Sequence, residues 1–142
     1  MQARDVSYIL ANSPAAFARE LAAPVFAAHE VTVIREPMKT LVMVRMRETV
    51  AGAAFYLGEV LASEALVEVA GQKGFALLMG DDLDKALAAA AIDAFRKTDF
   101  PAAREIECAL EKRGTEITAG KRREIRMHQK SRVQFNTLDT SY

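Results

Sequence analysis

The sequence predicts an α+β domain: an antiparallel β-meander of about five strands, with helices before and after it packing on the sheet. Three observations carry that prediction. Apolar and β-branched runs concentrate between residues 29 and 79, and turn signals interrupt them. Helical spacing of apolar residues is confined to the two flanks. With 142 residues, 51% of them hydrophobic, the chain fills one ordinary domain. A domain of that size buries roughly 70% of its unfolded surface.

The elements follow in order. Val6, Ile9 and Leu10 lie at helical spacing and open the chain with a helix. Ser13 is a good N-cap, and Pro14 suits the first position of a second, short helix through Phe17 and Leu21. Pro24 limits or restarts that helix. Strands are then expected over residues 29–36, 40–47, 53–61, 64–70 and 75–79. Turns are expected at Glu36-Pro37-Met38-Lys39 and at Gly71-Gln72-Lys73-Gly74. Asp81 or Asp82 caps the next helix, whose stripe is Leu83, Leu87, Ala90, Ala91 and Ala94, widened by Ile92 and Phe95. Thr98 or Asp99 caps the last one, with Pro101 in its first turn and Ala103, Ile106, Leu110 and Ile117 as a sparse stripe. Gly114 and Gly120 are expected to kink or end it. The reading is one domain over residues 1–130 and an extended tail over 131–142.

Two features call for a partner. A sheet with one wet face alternates apolar and polar residues. Here Leu41, Val42, Met43, Val44 and Met46 put apolar groups on both faces, and residues 75–79 do the same. Helices of the chain cover one face, and another helix or a partner chain is needed for the other. The tail carries Phe135, Leu138 and Tyr142 on a segment too short to bury them, which points to docking elsewhere.

Charge and motifs exclude several classes. Nineteen basic and nineteen acidic residues give zero net charge, against a polycation acting on nucleic acid. No apolar run approaches the ~20 residues of a membrane helix. The first residues lack a basic region followed by an apolar one, so no secretion signal is expected and the reading is cytoplasmic. One cysteine allows no internal disulfide. Cys108, His29 and His128 make a poor metal set, and no metal site is expected. No glycine-rich phosphate loop and no catalytic constellation stands out, so no catalytic residue is assigned. Cys108 reads as a small helix residue of the kind often simply buried. Glu59 and Glu64 are two carboxylates flanking a strand turn. They suit either acid–base work or a solvated sheet edge, and the edge is preferred. The stretch from Lys121 to Arg132 is the strongest charge signal. Its Arg122, Arg123 and Arg126 are candidates to hold phosphate, with a solvated helix face as the plainer reading. Met38, Met43, Met46 and Met79 read as core filling or interface.

Glu36-Pro37-Met38-Lys39-Thr40-Leu41-Val42-Met43-Val44-Arg45 resembles the Pro-x-x-[TS]-Gly-Leu-Val-Met-Val-Arg stretch of the PhnG family, a subunit family of the bacterial carbon–phosphorus lyase system. Phe55-Tyr56-Leu57-Gly58-Glu59 resembles its Phe-x-Leu-Gly-Glu segment. Gly80-Asp81-Asp82, followed by Ala86, Ala89, Ala90, Asp93 and Ala94, is similar to its Gly-x-Asp helix start. Ser131-Arg132-Val133-Gln134-Phe135 is similar to its C-terminal [ST]-Arg-Val-x-Phe. The pieces keep the family's order over about residues 7–136. Lys39-Thr40 replaces a small residue and glycine, and Ser63-Glu64-Ala65 stands where many members have Thr-Arg-Cys or Thr-Arg-Ala.

The resemblance implies a subunit working beside PhnH, PhnI, PhnJ and PhnL. With PhnH, PhnI and PhnL, such a subunit supports attack of an alkylphosphonate oxygen on C1′ of ATP, with loss of adenine. The product is alpha-D-ribose 1-methylphosphonate 5-triphosphate. The resemblance places the catalytic centre mainly on PhnI. It implies no cofactor held by this chain alone and MgATP as substrate of the assembled complex. Thr40, Leu57, Gly58, Glu59, Gly80, Asp82, Arg132, Val133 and Phe135 are the motif positions expected to face substrate or partners. Arg132, Val133 and Phe135 are the expected anchors of the tail. The alternative is a self-contained homodimeric domain binding a small phosphorylated molecule. A homodimer of the isolated chain through its apolar sheet face is a related expectation.

Overall fold

The structure, a computed structural model, describes residues 1–130. Arg132, Val133 and Phe135, and the expected tail as a whole, lie outside the described residues. Four helices and three strands follow in the order α1 (Ala3–Ala11), α2 (Ala15–Ala28), β1 (Val31–Arg47), β2 (Ala54–Val69), β3 (Gln72–Met79), α3 (Leu83–Phe95) and α4 (Pro101–Lys130). The α+β class and the antiparallel meander hold, with three strands in the order β1-β2-β3 rather than five.

The difference in strand number has a local cause. The expected turn at residues 36–39 is a bulge inside β1. Val33 pairs with Val67, Arg35 with Leu66 and Met38 with Glu64, so β1 carries two extra residues between 33 and 38. Pro37 lacks an N–H and sits where the ladder is already interrupted, the position a strand proline tolerates. The two expected strands on either side of residues 62 and 63 are likewise one, because Ala62 and Ser63 pair with both neighbouring strands. The β2–β3 turn is Ala70-Gly71, with φ of 48° and 77°, one step before the expected four residues. Two positive φ values match the tight hairpin turn whose twist suits antiparallel strands.

α3 forms the middle of the core. Its residues Ala86 and Ala88 through Phe95 are all buried. The expected stripe is therefore a helix covered all round, the pattern of a fully enclosed helix. Ala65, Val67, Val69, Ala76 and Leu78 of the sheet pack in the same cluster as Val6, Ile9 and Leu10 of α1 and Ala18, Ala22 and Val25 of α2. Alanine is small enough to let α3 approach the sheet closely. A Cβ on Gly74 would meet the Ala90 carbonyl oxygen and the Ala94 amide. Asp82 is the N-cap of α3, accepting from the Lys85 amide at 2.8 Å. Asp93, on the same helix, accepts from Phe75 N at 3.3 Å, Arg96 Nε at 3.0 Å and Lys97 Nζ at 2.7 Å.

Other expectations shift for similar reasons. Ser13 donates to the Ile9 carbonyl at 2.7 Å, four residues back, leaving Pro14 as the N-cap of α2. α2 runs through Pro24 to Ala28, held by its buried Ala18, Ala22 and Val25. His29 ends it, its ring 4.8 Å from Phe95 and 4.7 Å from Phe100. α4 passes both glycines unbroken. At Gly114 an added Cβ would lie 3.0 Å from Ile9 Cδ1, so the missing side chain serves the α1–α4 crossing. Cys108 is exposed on α4, against the buried setting common for free cysteines.

Candidate functional site

The register separates the sheet into two faces. Ser63, Ala65, Val67 and Val69, with Gly74, Ala76 and Leu78 beside them, lie on the helix-covered face. The opposite face carries Arg35, Met38, Thr40 and Val42 of β1, Val60, Ala62, Glu64 and Leu66 of β2, and Phe75, Leu77 and Met79 of β3. No described helix packs on this second face. Met38, Phe75, Leu77 and Met79 are 47%, 44%, 39% and 75% exposed. These apolar side chains surround the Arg35–Glu64 ion pair on the same face.

Beyond the end of β3, strands β1 and β2 continue alone as a hairpin arm. Leu41, Met43, Tyr56, Leu57 and Leu61 are exposed along it, and Val50 at its tip is 94% exposed. The core-filling reading of the methionines does not hold, since Met38, Met43, Met46 and Met79 are all exposed. A two-stranded hairpin is at best marginally stable in water, so an arm apolar on both faces calls for covering.

The expected motif residues fall in two places. Gly80, Asp82 and Thr40 gather where β3 ends. Thr40 pairs with Ala62, and Ala62 pairs in turn with Met79. Gly80 (φ 106°) donates to the Leu61 carbonyl and accepts from Ser63 Oγ, both at 2.9 Å. Lys39 and Asp81 form an exposed ion pair at 3.5 Å beside them. Leu57, Gly58 and Glu59 lie on the arm, where the register shifts between Val44↔Gly58 and Arg45↔Tyr56. Gly58 has φ 155° with open space around it, so the position needs glycine for its backbone and not for a neighbour.

Glu59 and Glu64 do not meet. Five residues apart on one continuous strand, they point to opposite faces, Glu59 across from Met43 and Glu64 across from Met38. Glu64 instead accepts from Arg35 Nη1 at 2.9 Å. That partner lies 29 residues away and was missed from the sequence. Recognising β1 and β2 as one hairpin about residues 48–53 would have brought the two charges together.

Arg122, Arg123 and Arg126 are exposed on the C-terminal half of α4. They do not converge with the sheet positions. Arg126 Nε donates to the Arg122 carbonyl at 3.4 Å. Arg122 lines a groove of about 570 Å³ between α1 and α4, shared with Asp5, Tyr8 and Glu111. Lys121 Nζ lies 4.6 Å from the Tyr8 ring centre. A groove holding two carboxylates beside one guanidinium is not a dedicated anion site. Among the described residues, no group of three or more His, Cys, Asp or Glu is placed to hold a metal ion. No described helix is long and apolar enough to cross a membrane.

The family model of the phosphonate metabolism protein PhnG matches residues 2–139. The chain belongs to the PhnG family. The match takes in both clusters of motif residues and the uncovered sheet face. Membership places the chain in phosphonate metabolism. No curated protein matches it.

Proposed function

We propose that this PhnG-family chain is a subunit of the carbon–phosphorus lyase core complex. In that role it supports transfer of an alkylphosphonate to C1′ of ATP with displacement of adenine. The observation that carries the reading is the family match over residues 2–139 of the 142-residue chain. The uncovered sheet face and the arm leave large apolar side chains exposed around the Arg35–Glu64 pair, a surface that a subunit of a larger assembly can use. The partners in this reading are the sibling subunits PhnH, PhnI, PhnJ and PhnL. This chain holds no cofactor of its own, and MgATP is the substrate of the assembly. The segment beyond residue 130 serves as a docking tail through Arg132, Val133 and Phe135. The setting is cytoplasmic.

The test is co-expression of the tagged chain with PhnH-, PhnI- and PhnL-type proteins of the same source. The expected result is co-purification, with adenine released from MgATP only when methylphosphonate is present. Partners that release adenine equally well without this chain would overturn the reading. Within the assembly, Arg132→Ala with Phe135→Ala should weaken co-purification while the isolated chain stays folded, as read by circular dichroism.

A further inference from the structure

The arm leaves one strand edge open. β3 pairs with β2 only from Ala62↔Met79 to Val69↔Gln72. At Gly80 the chain leaves the sheet, held there by the Leu61 carbonyl and the Ser63 hydroxyl. Residues 54–60 of β2 therefore have β1 on one side and, among the described residues, no strand on the other. Unpaired N–H and C=O groups along a strand are a template for another strand. Exposed edges are ordinarily protected by lysine, proline, inward charge or a bulge. Residues 54–60 read Ala-Phe-Tyr-Leu-Gly-Glu-Val, with no proline, no lysine, one charge, Glu59, and one bulge, where the register to β1 skips Leu57 beside Gly58.

We propose that two copies of this chain pair antiparallel through this edge of β2, about a twofold axis near Gly58. The inference needs only the surface of the chain itself and does not rest on the functional reading above. Antiparallel pairing about a twofold is self-complementary, each copy supplying the same donors and acceptors. Centred near Gly58, it sets Tyr56 opposite Val60 of the second copy, apolar against apolar. Glu59 then faces Leu57 of the second copy, and the two Glu59 carboxylates do not oppose each other. Gly58 presents no side chain at the axis. The zero net charge of the chain removes bulk repulsion between copies.

The exposed area falls at the low end for a specific interface. Phe55, Tyr56, Leu57, Leu61 and Met79, which flank the edge, are 43%, 61%, 64%, 42% and 75% exposed. At the area typical of large side chains this is on the order of 500 Å² per copy. A standard interface takes about 800 Å² per partner, and the newly paired backbone supplies much of the difference. The arm changes from two strands to four, which lifts it out of the marginal range of an isolated hairpin.

The test uses the full chain alone. Sedimentation equilibrium should give a mass twice 15.6 kDa at high concentration. Amide exchange at residues 54–60 should slow under the same conditions. Phe55→Glu combined with Tyr56→Glu should raise the dissociation constant at least about tenfold. Phe75→Glu, on the open face away from the edge, should leave it unchanged. Circular dichroism checks that both variants fold, and exchange in the unaltered chain decides the matter if either does not. A monomer at every concentration would overturn the proposal. So would a dimer in which residues 54–60 exchange freely, or one that Phe75→Glu dissociates and the arm variant does not. None of these outcomes bears on co-purification with other subunits.

Discussion

Arg35 and Glu64 form an ion pair at 2.9 Å across β1 and β2, on the sheet face that no described helix covers. The Glu64 side chain is 14% exposed and that of Arg35 54% exposed, so the carboxylate is largely covered while solvent screens the guanidinium. Screening limits the pair to roughly 0.5–1 kcal/mol. The pair offers a direct test. Glu64→Arg alone sets two guanidinium groups together and should cost about 1 kcal/mol. Adding Arg35→Glu should recover most of that loss, since the pair is restored with its ends exchanged. A double-mutant cycle on urea unfolding measures the coupling. Additive effects would show that the two side chains do not interact in solution.

Asp93 is the charge on which α3 and β3 are tied together. It is buried at 8% exposure, with Arg96 and Lys97 on its oxygens and the Phe75 amide as a third donor. The Arg96 side chain is only 9% exposed. Removing the carboxylate leaves that guanidinium with weaker partners only. Its other contacts are the Met1 carbonyl at 3.2 Å and Glu107 at 4.0 Å. Asp93→Ala should destabilise the chain by about 3 kcal/mol, the scale for breaking a buried pair by deleting one partner. Urea unfolding gives the value, and a loss under about 1 kcal/mol would mean that Glu107 takes over.

How much of this was legible follows from the range of each cause. Local causes read well: Asp82 as a cap, Val6, Ile9 and Leu10 as a buried face, and residues 41–46 as a strand apolar on both sides. Pro37 misled because proline signals a turn unless a bulge accommodates it, and bulges are set by register rather than by composition. Gly114 misled because a glycine that lets Ile9 approach looks, in one dimension, like one that ends a helix. The Arg35–Glu64 pair needed the pairing of residues 29 apart. The open edge of β2 depends on where β3 stops, which Gly80 decides through contacts to Leu61 and Ser63. The four motif pieces carried the family, and the position of those pieces in the fold came only with the structure.

Gly74 and Gly120 should respond in opposite directions to the same change. A Cβ at Gly74 would run into the Ala90 carbonyl oxygen and the Ala94 amide, which are backbone atoms and cannot rotate away. Gly74→Ala must push α3 off the sheet and should cost about 3 kcal/mol or more. Gly120 lies inside α4 with nothing within 4 Å of the added carbon. Gly120→Ala should stabilise the helix by roughly 0.5–1 kcal/mol, because alanine loses less backbone freedom there. Thermal unfolding of the two variants reads both signs. A neutral Gly74→Ala would contradict the close approach of α3 and β3.

Glu48 makes the tip of the arm sensitive to pH. Its carboxylate accepts from the Val50 amide at 3.0 Å and also from the Ala51 amide. These backbone donors hold its pKa below the ordinary glutamate value of 4.5, the Val50 bond contributing most. A carboxyl group with a depressed folded-state pKa gives stability that is present above its unfolded value. That stability is lost as the pH falls through the lower folded-state value. The tip should therefore be closed at neutral pH and loosen below about pH 4.5, without unfolding the core around α3. Amide exchange at Val50 and Ala51, corrected for intrinsic pH dependence, should accelerate across that window. In Glu48→Gln the two amides should be less protected at neutral pH and show no such step. A step that persists in the glutamine variant would place the titrating group elsewhere.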